Sequence, residues 1–457
     1  VELLLSSSVL SDDEKSAINR LSAKIRADEK PLARLNNYYE GEQRLRHIGL
    51  AVPPELRSFE TVINVPGMAV TEPTIRQSLR AFYKAGDSTK EDPALREAWE
   101  VNNLDSESTL CHQEEKIFGR TFVTVGANED DDEHPLIRVE DPRQIGYTVD
   151  TRSRRMVEML RLYRDEDRVT RGTLLLPDTT IHISRGRNGW AVDDRDDHNL
   201  GVVAAVLFAN RRRGGQFTGR SEMSDVIGMT DGIARMLTNM QVGAEGHALP
   251  SYFITGARKE DFRDRDGKDI PVWESYLTAI KALSNEGAKV WQFQAGDLKN
   301  FTDAINNMLA WCAASLGLPT RYAGQQSVNP AAEGAIRADE ARLVGRVDAM
   351  NRFDGDSWAW VMGLYERFRT GEWPQANSIR VIWRDPATMT TAQIADAAVK
   401  MRQVGALSVE GVWDMLGWDE ARKRQERERL AAEQVGDPLS AALRGLSGGT
   451  GDAPVGG

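Results

Sequence analysis

Apolar residues along this chain change their spacing several times, and each change marks a different kind of element. Behind the capping sequence "SDDE", Ile18, Leu21 and Ile25 fall on one helical face, which predicts a helix over 12–50. The same spacing predicts helices over 73–85 ("PTIRQSLRAFYKA") and 93–118 ("PALREAWEVNNLDSESTLCHQEEKIF"). The texture then shortens to "RTFVTVG", "LIRVE", "QIGYTVD", "RRMVEMLRLY", "VTRGTLLLP", "TIHISR" and "GVVAAVLF". These runs are β-branched or aromatic and are punctuated by Gly, Asp, Asn and Pro, as in an antiparallel meander. The acidic run Asn128 to Pro135 lies between two of them and reads as a solvated hairpin loop.

Helical periodicity returns after Arg220. Val226, Ile227, Thr230, Ile233, Ala234 and Leu237 predict one amphipathic helix over 222–247. A second covers about 300–316, with Phe301, Ala304, Ile305, Met308, Leu309 and Cys312 in register. Between them, 250–297 reads as a compact insert: an extended piece, the charged turn "ARKEDFRDRDGKDIP", the apolar helix "VWESYLTAIKAL" and the strand "AKVWQFQ". A polar loop with its ends set by Pro319 and Pro330 leads into a helical pattern from Ala331 to about Arg369. At 1.5 Å per residue that helix is about 55 Å long, several times the usual length, with Gly355 the natural place for a bend. "SIRVIW" is a returning strand, and "TTAQIADAAVKMRQVGALSVEGVWDMLGW" a helical hairpin turning at Gly405. The Gly-rich tail 436–457 is expected to be mobile.

Composition narrows the function. With 457 residues, 40% hydrophobic and 28% charged, two to four structural units with sizeable cores are expected. A net charge of −11 argues against a surface that grips nucleic acid throughout, but not against one that DNA merely passes. Cys111 and Cys312 form neither a zinc pattern nor a disulfide framework and read as reduced packing residues. No signal peptide is read at the start. The longest apolar run, Gly201 to Asn210, is about half of what a membrane-spanning helix needs, so a soluble chain is expected.

Candidate chemistry is sparse. "GGQFTGRS", Gly214 to Ser221, matches a phosphate-binding loop except that Arg220 replaces Lys, and it stands between a strand and a helix. A guanidinium is no substitute for that lysine, and no parallel sheet is indicated, so nucleotide hydrolysis is the alternative reading and a Gly-rich hinge the main one. Cys111 and His112, adjacent on a helix, point apart and cannot easily form a dyad. The cluster Asp193 to His198 reads as a turn, "NRRRGG" (Asn210 to Gly215) as a charged loop, and "DEARKRQERERLAAE" (Asp419 to Glu433) as a solvated helix face or helix–helix contact. No cofactor, metal site or catalytic group is expected.

The apolar faces of 222–247, 300–316 and the long helix exceed what one chain easily covers, which points to neighbouring copies in a ring. In four segments the chain resembles the portal proteins of tailed bacteriophages, in the branch found in phages of Gram-positive hosts. They are "LNNYYEGEQRL" (Leu35 to Leu45), "WEVNNLDSESTLCHQEEKIFGRTFVTVG" (Trp99 to Gly126), "GLPTRYAGQQSVNPAAEGAIRADEARL" (Gly317 to Leu343) and "ALSVEGVWDMLGWDEA" (Ala406 to Ala421). The resemblance implies an α+β portal fold: a strand-rich wing over 1–221, stem helices at 222–249 and 298–316, and a small α/β clip at 250–297. It further implies a tunnel loop at 317–331, a long helix with returning wing strand at 332–390, and a helical crown at 391–435. A dodecameric ring at a capsid vertex would pass double-stranded DNA during packaging and ejection. It would dock the large terminase subunit and a head-completion or connector protein, and nucleate assembly with major capsid and scaffold proteins. On this reading Arg321, Gln325, Gln326 and Asn329 face DNA, because one charge among polar amides allows weak, reversible contacts. Arg258, Lys259, Asp261, Arg263, Arg265 and Lys268 would form the clip surface facing motor and connector.

Overall fold

The computed structural model describes residues 9–44, 61–84, 91–131, 133–187, 189–248, 252–256, 287, 289–292, 298–324, 333–375, 378–387, 391–418 and 420–436. They divide into two compact units, Val1–Pro386 and Ala387–Gly457, of mixed helices and antiparallel sheets.

The first unit opens with α1 (Asp12–Glu40), started by a capping box in which Ser11 Oγ accepts from the Glu14 amide and the Glu14 carboxylate accepts from the Ser11 amide. It ends ten residues before the predicted boundary, because Gly41 at φ 74° takes the left-handed cap. The predicted helix over 73–85 is instead the end of α2 (Val65–Thr74) followed by the strand β1 (Leu79–Lys84). β1 pairs antiparallel with a strand from the far end of the unit, β12 (Ile379–Trp383), and that long-range pairing overrides a spacing that suited either period. The predicted helix over 93–118 is two, α3 (Pro93–Val101) and α4 (Leu104–Phe118), separated at Asn103, whose φ of 52° is left-handed.

The meander forms as two antiparallel sheets. β2 (Arg120–Gly126) lies between β3 (Leu136–Glu140) and β9 (Ala205–Ala209), with the acidic run in the β2–β3 hairpin. The other sheet runs in simple order through β4 (Ile145–Val149), β5 (Met156–Arg164), β6 (Thr170–Leu175), β7 (Thr180–Gly186) and β8 (Gly189–Asp196). Asp193 to Asp196, expected in a turn, belong to β8, the last strand of that sheet. Ile18 and Leu21 of α1 pack on Leu160, Leu174 and Ile181 of this sheet. Farther along α1, Leu32 and Tyr38 pack with Val70 and Phe118.

The predicted helix over 222–247 starts as a 3-10 turn (Glu222–Asp225) before α5 (Ile227–Ala248). Within 250–297 the described residues form the antiparallel strands β10 (Tyr252–Thr255) and β11 (Lys289–Gln292). α6 (Lys299–Leu316) packs beside α5, close enough that a side chain on Gly232 would meet Met308 at 2.7 Å. The long helix, α7 (Glu333–Thr370), has 38 residues and continues as helix through Gly355, where bending was expected. That glycine admits the β12 strand: a Cβ there would stand 3.1 Å from Trp383 Nε1. The second half of α7 buries Trp358, Val361, Met362 and Tyr365 against Trp99 and Phe208, with Trp358 edge-on to both rings at 5.1 Å.

The second unit holds α8 (Thr391–Gln403) and α9 (Val409–Met415), the hairpin expected to turn at Gly405, followed by α10 (Glu420–Gly436). Gly405 and Gly417, at φ 72° and 73°, make the turns between them. Trp413 and Trp418 stack at 5.8 Å, and Lys423–Asp414 and Arg427–Glu410 ion pairs, each 2.7 Å, tie α10 to α9.

Candidate functional site

α6 and the long helix converge on the segment that joins them. Gly317 at φ 67° stops α6, Pro319 starts a 3-10 turn (Thr320–Ala323), and Gly324 at φ 80° ends it. This small turn is fastened from three directions to one buried carboxylate, that of Glu340 on the long helix. Arg321 Nη2 donates to Glu340 Oε1 at 2.5 Å and the Tyr322 hydroxyl donates to the same oxygen at 3.1 Å. Arg76, in the turn after α2, approaches that oxygen at 3.7 Å and donates to the Tyr322 hydroxyl at 2.9 Å. Arg321 also pairs with Asp339 at 3.5 Å and lies over the Tyr322 ring. The guanidinium groups of Arg76 and Arg321 thus converge on the Glu340 carboxylate.

A second buried polar cluster runs along α4. Cys111, His112, Glu115 and Lys116 are all at most 2% exposed. His112 Nε2 accepts the indole N–H of Trp358 at 3.0 Å, which puts the imidazole proton on Nδ1, and burial holds its pKa well below the usual range. Burial pushes the Cys111 thiol and the Glu115 carboxyl well up. Burial also raises Asp354 of the long helix, which hydrogen-bonds Glu115 and accepts from Gln77 Nε2 at 2.7 Å. Two facing carboxyls removed from water cannot both ionise, so they keep a proton. Lys116 donates to the His112 carbonyl at 3.1 Å and stands 3.7 Å from Glu115. A neutral thiol, a neutral imidazole already occupied by an indole and no route to solvent do not make a nucleophilic site.

Nor does Gly214 to Ser221 make a phosphate cradle. It leaves β9, a strand of an antiparallel sheet, and enters a four-residue 3-10 turn, not the helix that such a loop needs. The Arg220 amide is already bonded to the Asn210 carbonyl at 2.9 Å, and the Arg220 guanidinium to Asp225. Gly219 is pressed against Gly119, whose carbonyl oxygen a Cβ would overlap at 1.9 Å. The glycine therefore serves a backbone crossing.

Of the residues read as candidates from sequence, Arg321 is placed in the Glu340 cluster with its side chain 34% exposed. Gln325, Gln326 and Asn329, and Arg258, Lys259, Asp261, Arg263, Arg265 and Lys268, lie outside the described residues. Glu340 and Arg76 were not anticipated: each is one charge among many on an amphipathic stretch, and Arg76 lies 246 residues from Tyr322 in the chain. Among the described residues no helix is long and apolar enough to cross a membrane.

Comparison with known proteins gives these segments their context. The family described as "Phage portal protein, SPP1 Gp6-like" matches residues 21–437. The portal protein of Mycobacterium phage L5 is 32% identical over 419 residues, covering 89% of this chain and 86% of its own. That of Mycobacterium phage D29 is 32% identical over 412 residues, covering 87% and 84%. With nearly the whole chain matched in this way, it belongs to the SPP1 Gp6-like family of phage portal proteins.

Proposed function

We propose that residues 317–331 form the constriction of the DNA channel that this portal protein makes at the capsid vertex. Portal proteins are structural, non-enzymatic ring oligomers of the virion, and their channel carries the genome inward at packaging and outward at ejection. One observation carries the assignment: the start of this segment is held rigidly between α6 and the long helix by Arg321, Tyr322 and Glu340. A constriction must keep its position while a polyanion moves past it, and must not bind that polyanion tightly. Arg321, Gln325, Gln326 and Asn329 are the DNA-facing set in this reading. The guanidinium is already balanced by Glu340 and Asp339, so the three amide side chains carry most of the contact.

The remaining assignments follow the same frame. α5 and α6 are the stem helices, 250–297 the clip, the strand-rich region before 222 the wing, and 391–435 the crown. The ring is a dodecamer. Arg258, Lys259, Asp261, Arg263, Arg265 and Lys268 face the large terminase subunit and then the head-completion or connector protein, while other surfaces meet major capsid and scaffold proteins. The test is electron microscopy of the purified chain with native mass on the same sample. Rings with a central hole and a mass near twelve subunits are expected. Monomers that persist on co-expression with capsid and scaffold proteins overturn the architecture. For the loop, Gln325→Lys with Gln326→Lys should slow packaging and steepen its salt dependence, and unchanged packaging removes the loop from the channel wall.

A further inference from the structure

We propose that Arg76, Tyr322 and Glu340 act together as a latch that positions the channel loop, with Arg76 setting where the loop sits relative to the long helix. The inference rests on the assignment of 317–331 to the channel. Glu340 is 6% exposed and accepts from two loop residues at once, so the loop base is tied to the long helix as well as to α6, from which it emerges. The Tyr322 hydroxyl is a relay: it accepts from Arg76 at 2.9 Å and donates to Glu340 at 3.1 Å. Arg76 is itself fixed, since its other terminal nitrogen donates to the Pro386 carbonyl at 3.0 Å.

The neighbouring residue extends the grip. Gln77 Nε2 donates to Asp354 at 2.7 Å and to Asn351 at 3.2 Å, both on the long helix. The single turn 76–77 therefore holds that helix at two places, Glu340 and Asn351/Asp354, which lie about 20 Å apart along its axis. Two-point attachment fixes axial register, and the loop hangs from one of the two points. A positioning role then follows for residues that never meet DNA. Loss of the relay should move the loop base without dismantling the long helix, which Trp358 and its neighbours hold in the core.

The test is the ionic conductance of single purified rings seated in a solid-state aperture at high salt, with ring mass and melting temperature measured alongside. Arg76→Gln removes a positive charge and Glu340→Gln a negative one, so a pure surface-charge effect would shift conductance in opposite directions. A latch predicts shifts in the same direction for both. It also predicts a shift of that direction for Tyr322→Phe, which changes no charge and retains the ring stacking and fold. Opposite shifts for the two charge variants, or wild-type conductance in Tyr322→Phe, overturn the latch. A wild-type ring that carries no through-current overturns the channel assignment itself, a separate result from failure of the latch.

Discussion

The indole of Trp358 donates to Nε2 of His112 at 3.0 Å in a place where neither ring reaches solvent. The bond joins the long helix to α4, and it is the only polar handle of a side chain otherwise surrounded by Phe208 and Trp99. Trp358→Phe keeps most of the packing but leaves a buried acceptor unmatched, and should lower stability by about 1–3 kcal/mol. Trp358→Ala adds a cavity and should cost about 3–5 kcal/mol. Urea unfolding of dissociated subunits separates the two. Equal midpoints for wild type and Trp358→Phe would show the bond to be dispensable.

Glu114 gives the protein a pH dependence of definite sign. Burial, with Asp141 and Glu40 nearby, raises its carboxyl to about 7 despite relief from Arg143. The folded state thus holds the proton more tightly than the unfolded chain, and its contribution is complete below the ordinary value of 4.5. It is lost as pH rises through about 7. Glu114→Gln should flatten the fall in unfolding free energy between those limits and stabilise the protein at pH 8 by on the order of 2 kcal/mol. Glu115 and Asp354, also raised, keep some slope in the variant. Parallel wild-type and variant curves would count against this origin.

Two glycines of one segment should respond unequally. Gly219→Ala collides with the Gly119 carbonyl oxygen and should cost about 3 kcal/mol, whereas Gly214→Ala meets nothing within 4 Å and should be nearly neutral. Thermal melts of both variants make the comparison. Arg220→Ala should weaken the contact with Asp225 and leave no nucleotide-binding signal to lose.

Glu222 is fully buried and bonds Arg346 of the long helix at 2.5 Å and Asn210 at 3.2 Å. Arg346→Ala leaves a carboxylate without its counter-charge and should cost about 3–5 kcal/mol. Adding Glu222→Leu should recover part of that loss. A double-mutant cycle with zero coupling would deny that the pair joins the 3-10 turn to the long helix.

Much of this architecture is readable from residue order, and the exceptions have physical causes. α6 and the long helix repeat apolar residues over enough turns that no other period suits them. Residues 79–84 do not: Leu79, Phe82 and Tyr83 sit as well on a helix as on a short strand, and only their partners Trp383, Val381 and Arg380 decide. The break at Asn103 rests on one left-handed residue, a conformation that asparagine tolerates but does not require. "TRYAG" marks itself as the start of a special loop by its flanking glycines. Glu340 and Arg76 carry no such mark, because a buried ion cluster is made by contacts between distant segments and leaves no periodic trace.

One edge strand of the five-stranded sheet, β8, carries Asp193, Asp194, Arg195 and Asp196 in succession. Arg195 is turned inward to Glu14, leaving acidic neighbours along the open ladder. A virion shell gathers many copies of this chain at one vertex, a crowding under which bare strand edges zip together. Like charges repeated on every copy repel that pairing. That edge is thereby discouraged from pairing with its copies, which favours contacts that can close a circle over contacts that grow a fibre.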